Sequence, residues 1–358
     1  LFSFLRGKKQ NMLGLDISSS SVKLLELSSR NGKVQIESYG VAALPHLAVV
    51  ERKIQEPEQV GEAIRLVIER ARPSTRHTVA AVSGASVITR TIQMDATLSA
   101  SELESQILIE ADQFIPFPIN EVAIDFEVLG PTKGRPNKQD VLLVACRLET
   151  VDYLQDALKY GGLIPKVVDV ENYAIERAVS LLLPRLKIEA ADPLIAVVDI
   201  GATMTNLSVL RREEIIYSRD QVFGGKQLTD EIMRRFNMSN GEAGYAKKKG
   251  GLPAEYKRDV LLPFLQTAVQ QISRALQLFY SSSAYNHIDY ILLAGGSSAT
   301  EGLADMVQEH LGTPTSVANP FVLTSSNPRI NQEALNNDAP ALLVAFGLAM
   351  RNLDNAAD

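Results

Sequence analysis

The sequence predicts an α/β fold built as two related lobes around a shared ligand cleft. Two segments read as versions of one another: LGLDISSSSVKLLEL, starting at Leu13, and AVVDIGATMTNLSVL, starting at Ala196. Each runs an apolar strand into an aspartate (Asp16, Asp199), turns through small residues and resumes with alternating apolar positions, which is a strand, a tight turn and a second strand. A chain of 358 residues also exceeds the size at which one hydrophobic core stops growing, so two lobes are the default. Between and after these hairpins, strand-like runs alternate with amphipathic helical ones, the pattern of an α/β protein.

The turns point to a ligand class. Successive backbone N–H groups in a small-residue turn form a concave donor array suited to phosphate oxygens, and Ser or Thr hydroxyls add donors. A carboxylate at the strand end repels phosphate, so its natural partner is a hydrated divalent cation such as magnesium. Two such hairpins facing each other suit a nucleoside triphosphate.

Composition narrows the alternatives. Apolar residues make up 46% and charged residues 22%, near globular averages, and the net charge of −6 offers no basic stripe for a nucleic acid, which is not expected as a partner. The single cysteine, Cys146 in VLLVAC, excludes an intramolecular disulfide, fits a reducing compartment and reads as a buried strand thiol. His46, His77, His287 and His310 are scattered without zinc-ligand spacing. No run reaches the roughly 20 apolar residues of a membrane span and no signal-peptide core is seen, so a soluble, cytoplasmic protein is expected. The opening LFSFLRGKK reads as a tail, residues 1–11, with weak membrane-surface contact as its alternative role.

In chain order, Val60, Ile64, Val67, Ile68 and Ala71 recur at helical spacing from Gln55 to Arg72, and Pro73 ends that helix. TVAAVSG and ITRTIQM read as strands; Ser101 with Glu104 offers a capping box for a helix carrying Leu103, Ile107, Ala111 and Phe114, which stops at IPFP. AIDFEVLG and DVLLVACRL flank a Gly/Pro/Lys-rich hairpin loop, and a helix from Thr150 to Tyr160 closes a compact insertion spanning residues 82–165. A second helix starts near Asp169 and ends before Pro184, leading to a crossover at Asp192 and Pro193. Beyond the second hairpin, Gly224 and Gly225 stand directly before a helix with Leu228, Ile232, Met233 and Phe236 on its apolar face, a place where a backbone can approach an anion. Glu242 to Gly251 ends a helix in a basic cluster, residues 258–285 form a long amphipathic helix, YILLAGGSS runs a buried strand into Gly295 and Gly296, and ALLVAFGLAMR is an apolar helix with small residues for close packing.

This ordered set resembles the actin-like ATPase superfamily. By resemblance the first phosphate hairpin is Asp16 to Lys23, the second is Asp199 to Thr205, the adenosine loop is Gly295 to Ser298, and the connecting helices are Glu171 to Val179 and Ala341 to Met350. The resemblance implies an actin-like (ribonuclease H-like) two-lobe ATPase fold. Within the superfamily, DISSSSVKLLEL, IPFP and ANPF at Ala318 to Phe321 are similar to the PilM family of type IV pilus assembly proteins, relatives of the division protein FtsA, which also carries an inserted α+β subdomain in its first lobe. On that basis residues 12–81 and 166–192 belong to the first lobe around the insertion at 82–165. The second lobe divides into 193–236 with the second hairpin, 237–286 as an outer helical part, and 287–358 with the adenosine loop and last helix.

The resemblance implies an ATP-binding cytoplasmic adaptor that docks at the inner membrane by gripping the N-terminal cytoplasmic segment of PilN. Asp16 and Asp199 are then the water-mediated magnesium partners. Ser18, Ser19, Ser20, Lys23, Gly201, Thr203 and Thr205 line the phosphates, and Gly225, Lys247, Gly295, Gly296 and Ser297 lie near the nucleoside. Glu171 is the candidate for ordering a water at the terminal phosphate, against a plain reading as a carboxylate favoured by a helix N-terminus. Two departures stand out: Ser18 occupies the glycine position held by Gly201 in the second hairpin, and Gly244 stands where a glutamate is expected before the nucleotide-facing lysine. ATP turnover is expected to be weak at most. A small-molecule kinase needs an acceptor pocket that the sequence does not reveal, and a polymerising filament protein, with self-association, needs complementary surfaces that one sequence does not display.

Overall fold

The computed structural model describes residues 11–30, 33–186 and 188–354; apart from residue 11, the expected N-terminal tail lies outside them. Strands β1 (Leu13–Ile17), β2 (Ser21–Arg30) and β3 (Lys33–Ala43) form an antiparallel meander, followed by the small hairpin β4 (Val49–Val50) and β5 (Lys53–Ile54). Helix α1 (Pro57–Ala71) buries Val60, Ile64, Val67 and Ile68, the face set by their spacing, and leads to β6 (His77–Val82).

The inserted part consists of β7 (Val87–Asp95), α2 (Ala100–Ala111), β8 (Val122–Pro131) and β9 (Lys138–Arg147). Its three strands pair in the order β7-β9-β8 and close their own core around Ile92, Ile107, Val141 and Leu143. The capping box is Ser99 with Glu102, not Ser101 with Glu104: Asp95 accepts from the backbone and hydroxyl of Thr97, and this turn leaves Ser99 at the N-cap. Helix α3 (Leu148–Tyr160), grouped with the insertion from sequence, instead places Leu154, Ala157 and Leu158 in the first lobe's core beside α1. β10 (Ile164–Val170) and α4 (Glu171–Leu182) complete that lobe.

The second lobe repeats the plan. β11 (Leu194–Ile200), β12 (Thr205–Arg211) and β13 (Glu214–Gln221) form its meander; α5 (Gly225–Phe236), α6 (Asn240–Lys249) and α7 (Leu262–Ser282) follow, then β14 (Tyr290–Ala294), α8 (Leu303–Leu311) and β15 (Thr315–Val317). β16 (Ser325–Ser326) returns to the edge of the first sheet beside β3, before α9 (Gln332–Asp338) and α10 (Leu343–Asp354). The sheet orders are β10-β6-β1-β2-β3-β16 and β13-β12-β11-β14-β15. Each therefore holds a meander whose first strand pairs in parallel with the next crossover strand, β1 with β6 and β11 with β14.

Between the sheets lies a common core. Leu25, Leu27, Ile36 and Val79 of the first sheet and Ile195, Val197, Leu210 and Leu292 of the second pack on Ala174, Ile175 and Ala178 of α4 and Ala345, Phe346 and Ala349 of α10. The two helices touch through backbone: a Cβ on Gly347 would lie 1.8 Å from the Ala174 carbonyl oxygen. Period-two alternation then fixes which residues look into the cleft, because Asp16 and Lys23 share a face with Leu25 and Leu27, as Asp199 does with Ile195 and Val197.

Candidate nucleotide cleft

The two hairpins are built alike. The Ser18 N–H donates to the Ser21 carbonyl at 3.0 Å, and the Gly201 N–H donates to the Met204 carbonyl at 2.9 Å, each two residues past its aspartate. Neither Ser18 nor Gly201 has a positive φ, so serine fits the glycine position without backbone strain. The hairpins meet at their tips, where the Thr203 hydroxyl lies 3.0 Å from Ser19 Oγ.

Their charges differ. Asp16 stands opposite Lys23 and is neutralised by it, Nζ to Oδ2 2.6 Å, both side chains about a tenth exposed. The corresponding register partner of Asp199 is Asn206, which turns away to donate to Asp220 Oδ1 at 2.8 Å. The Asp199 carboxylate thus has no hydrogen bond or ion pair among the described residues. Burial pushes its carboxyl above the usual range, Arg52 and Lys23 pull it down, and Asp16 and Asp220 push it up again.

Glu171, the first residue of α4, reaches the same space and is ion-paired to Arg52 at 2.5 Å. Burial raises its pKa against the pull of Arg52, with Asp16 and Asp199 adding to the rise. Arg52 also reaches Asp220 on the second lobe at 3.4 Å. Burial alone would lower the guanidinium's pKa, but Glu171, Asp220 and Asp199 together drive it upward. Sequence reasoning missed Arg52, Asp220 and Asn206: Glu51-Arg52-Lys53 reads as a solvated charge run, and no local pattern links it to residues far along the chain.

Among the residues expected near a nucleoside, Gly225 N–H donates to the Gly201 carbonyl at 3.0 Å and Ser297 Oγ donates to the same carbonyl at 2.9 Å, tying α5 and the Gly295–Ser297 loop to the second hairpin. Lys247 Nζ donates to Thr229 Oγ1 at 2.7 Å and to the Gly225 carbonyl at 3.2 Å, and burial lowers its pKa. Gly295 needs to be glycine: its φ is +82° and a Cβ there would lie 2.3 Å from Asp199 Oδ1. Gly296 is exposed, with open space on its Cβ side beyond an Ala341 contact at 3.8 Å. Thr205 departs from the expected set of phosphate donors, because its buried hydroxyl donates to the Phe223 carbonyl at 2.9 Å. Ser20 sits exposed at the first turn.

The donor set fits a magnesium nucleotide better than a bare metal. Among the described residues no three His, Cys, Asp or Glu side chains are placed to hold a metal ion. Magnesium keeps several waters and takes one or two carboxylates plus substrate phosphates, which matches an unpartnered Asp199 beside a small-residue turn.

Two sheets of like topology packed on paired helices, with acid-tipped hairpins facing each other, define an actin-like two-lobe fold. Structures of EutJ from Carboxydothermus hydrogenoformans (TM-score 0.59, 14% identity, 95% of this chain and 89% of that one) and of MreB 5 of Spiroplasma citri bound to AMPPNP (0.51, 12%, 98% and 100%) share the fold. The model of the type IV pilus assembly protein PilM matches residues 14–353, and the structure of a PilM-PilN type IV pilus biogenesis complex aligns with TM-score 0.77 and 31% identity over 96% of this chain and 99% of that one. The chain belongs to the PilM family of type IV pilus assembly proteins. Among the described residues no helix is long and apolar enough to cross a membrane.

Proposed function

We propose that this chain is an ATP-binding adaptor of the type IV pilus assembly machine, which grips the N-terminal cytoplasmic segment of PilN at the inner membrane while nucleotide biases the closure of its lobes. The observation that carries the nucleotide part is the meeting of two equivalent hairpins at Ser19 and Thr203 with Asp199 unpartnered beside them. Family membership and likeness to a PilM-PilN complex support the partner. Bound magnesium would supply neutralisation of phosphate charge. The chain's own residues would do the rest: Ser18, Ser19, Gly201 and Thr203 would line phosphates, Lys23 would offer a cation beside Asp16, and Asp199 would hold the cation. Gly225, Gly296, Ser297 and Lys247 border the nucleoside. A ligand touching both hairpins favours the closed arrangement by its differential affinity for that state.

Calorimetry of a peptide copying the PilN N-terminal segment, with and without magnesium ATP, tests the whole reading. Tighter peptide binding in the presence of nucleotide is expected. Peptide binding that ignores nucleotide, or no heat from nucleotide alone, counts against it.

A further inference from the structure

Arg52 is a cation of the cleft that the hairpin chemistry does not account for. Arg52 sits on the β4–β5 turn of the first lobe, and its guanidinium contacts carboxylates on two sides: Glu171 at the start of α4, in its own lobe, and Asp220 at the end of β13, in the other. With Asp16 and Asp199 close enough to act electrostatically, this corner gathers four carboxylates around Lys23 and Arg52. Lys23 is committed to Asp16, whereas Arg52 is divided between the lobes, with a longer arm of 3.4 Å to Asp220.

Arg52 is presented by a tight turn. Glu51 and Arg52, with φ of 47° and 63°, form the centre of a two-residue hairpin that normally takes Asn-Gly or Gly-Gly. The same left-handed pair recurs at Arg212 and Glu213 between β12 and β13, so what sets Arg52 apart is not its backbone but its two ion pairs, one to each lobe. Just beyond Glu171, Asn172 Oδ1 lies where a Cβ on Gly84 would stand, 2.2 Å away, at the root of the inserted subdomain. The corner that Arg52 occupies therefore adjoins both the second lobe and the base of the insertion.

We propose that Arg52 is a phosphate-responsive latch between the lobes: without ligand it ties Glu171 to Asp220, and with a nucleoside triphosphate it shifts its planar fork of donors from Asp220 to the terminal phosphate. Guanidinium binds carboxylate and phosphate oxygens through the same paired geometry, so the exchange needs no new donor. The proposal rests on the nucleotide reading above and adds a residue that distinguishes triphosphate from diphosphate.

The test uses Arg52→Ala, Arg52→Lys and Asp220→Asn in the full chain, with two readouts. Calorimetry gives affinities for magnesium complexes of a non-hydrolysable ATP analogue and of ADP. Distances between spin labels at Leu66→Cys and Tyr245→Cys, in a Cys146→Ala background, report on the lobes. Arg52→Ala is expected to weaken triphosphate binding by at least about tenfold with a smaller effect on diphosphate, and to broaden the ligand-free distance distribution. Arg52→Lys restores part of the distance effect but not the triphosphate preference, and Asp220→Asn broadens the distribution while leaving triphosphate affinity intact or improved. Wild-type affinities together with wild-type distances in Arg52→Ala overturn the latch alone; a wild-type chain that binds no nucleotide overturns the nucleotide reading and the phosphate half of the latch together.

Discussion

Thr203 and Ser19 meet hydroxyl to hydroxyl at 3.0 Å, although 184 positions separate them in the chain. Each sits at the tip of a hairpin whose aspartate precedes it by a few residues, so this contact joins the two lobes beside the candidate phosphate position. Replacing both by alanine removes one net hydrogen bond, worth about 1 kcal/mol. A small fall in stability by urea unfolding is therefore expected, with a larger proportional loss of magnesium nucleotide affinity. Unaltered nucleotide binding would separate this contact from the ligand site.

Asp199→Asn should divide stability from binding. Burial raises the Asp199 pKa, so its charged form is less favourable in the folded chain than in the unfolded one at neutral pH. The neutral asparagine is expected to leave the ligand-free melting temperature unchanged or higher, and to weaken magnesium nucleotide binding by about tenfold or more through loss of a carboxylate from the cation's surroundings. A melting temperature that drops by several degrees would show that Asp199 stabilises the fold.

Lys23→Ala leaves Asp16 buried without its partner and is expected to cost about 3–5 kcal/mol in unfolding free energy. The double variant Asp16→Asn, Lys23→Met should recover most of that loss, because it removes both charges while keeping volume. A double variant as unstable as Lys23→Ala would contradict the assignment of the loss to an unpaired charge.

Gly295→Ala combines a left-handed backbone with a Cβ directed at Asp199 Oδ1. Destabilisation of about 1–3 kcal/mol is expected, together with loss of nucleotide binding as the loop moves off the second hairpin. Retained stability would mean that the loop relaxes at no cost.

Much of this site was legible in the sequence because its central parts are local. An aspartate, a small-residue turn and period-two alternation lie within a few residues of each other, and they determine both the hairpin and the face on which Asp16, Lys23 and Asp199 appear. What escaped detection depends on packing between distant segments. Arg52 gains its meaning from Glu171 and Asp220, and neither neighbour is visible from the charge run around it. The helix from Thr150 to Tyr160 follows the insertion's last strand directly in the chain, and nothing local shows that it packs on α1 of the first lobe instead. Two overlapping Ser-x-x-Glu pairs compete at the start of α2, and the Asp95–Thr97 turn selects the first.

The crossing of α4 and α10 at Ala174 and Gly347 bears on how the cleft can open. The Gly347 carbonyl also accepts from Arg177 Nε at 3.0 Å, so main chain meets main chain here with an added clasp. At this one crossing, sliding α10 along α4 would drive main chain into main chain. An opening of the cleft that keeps this contact would therefore have to swivel about it, with displacement growing towards the rim of each lobe.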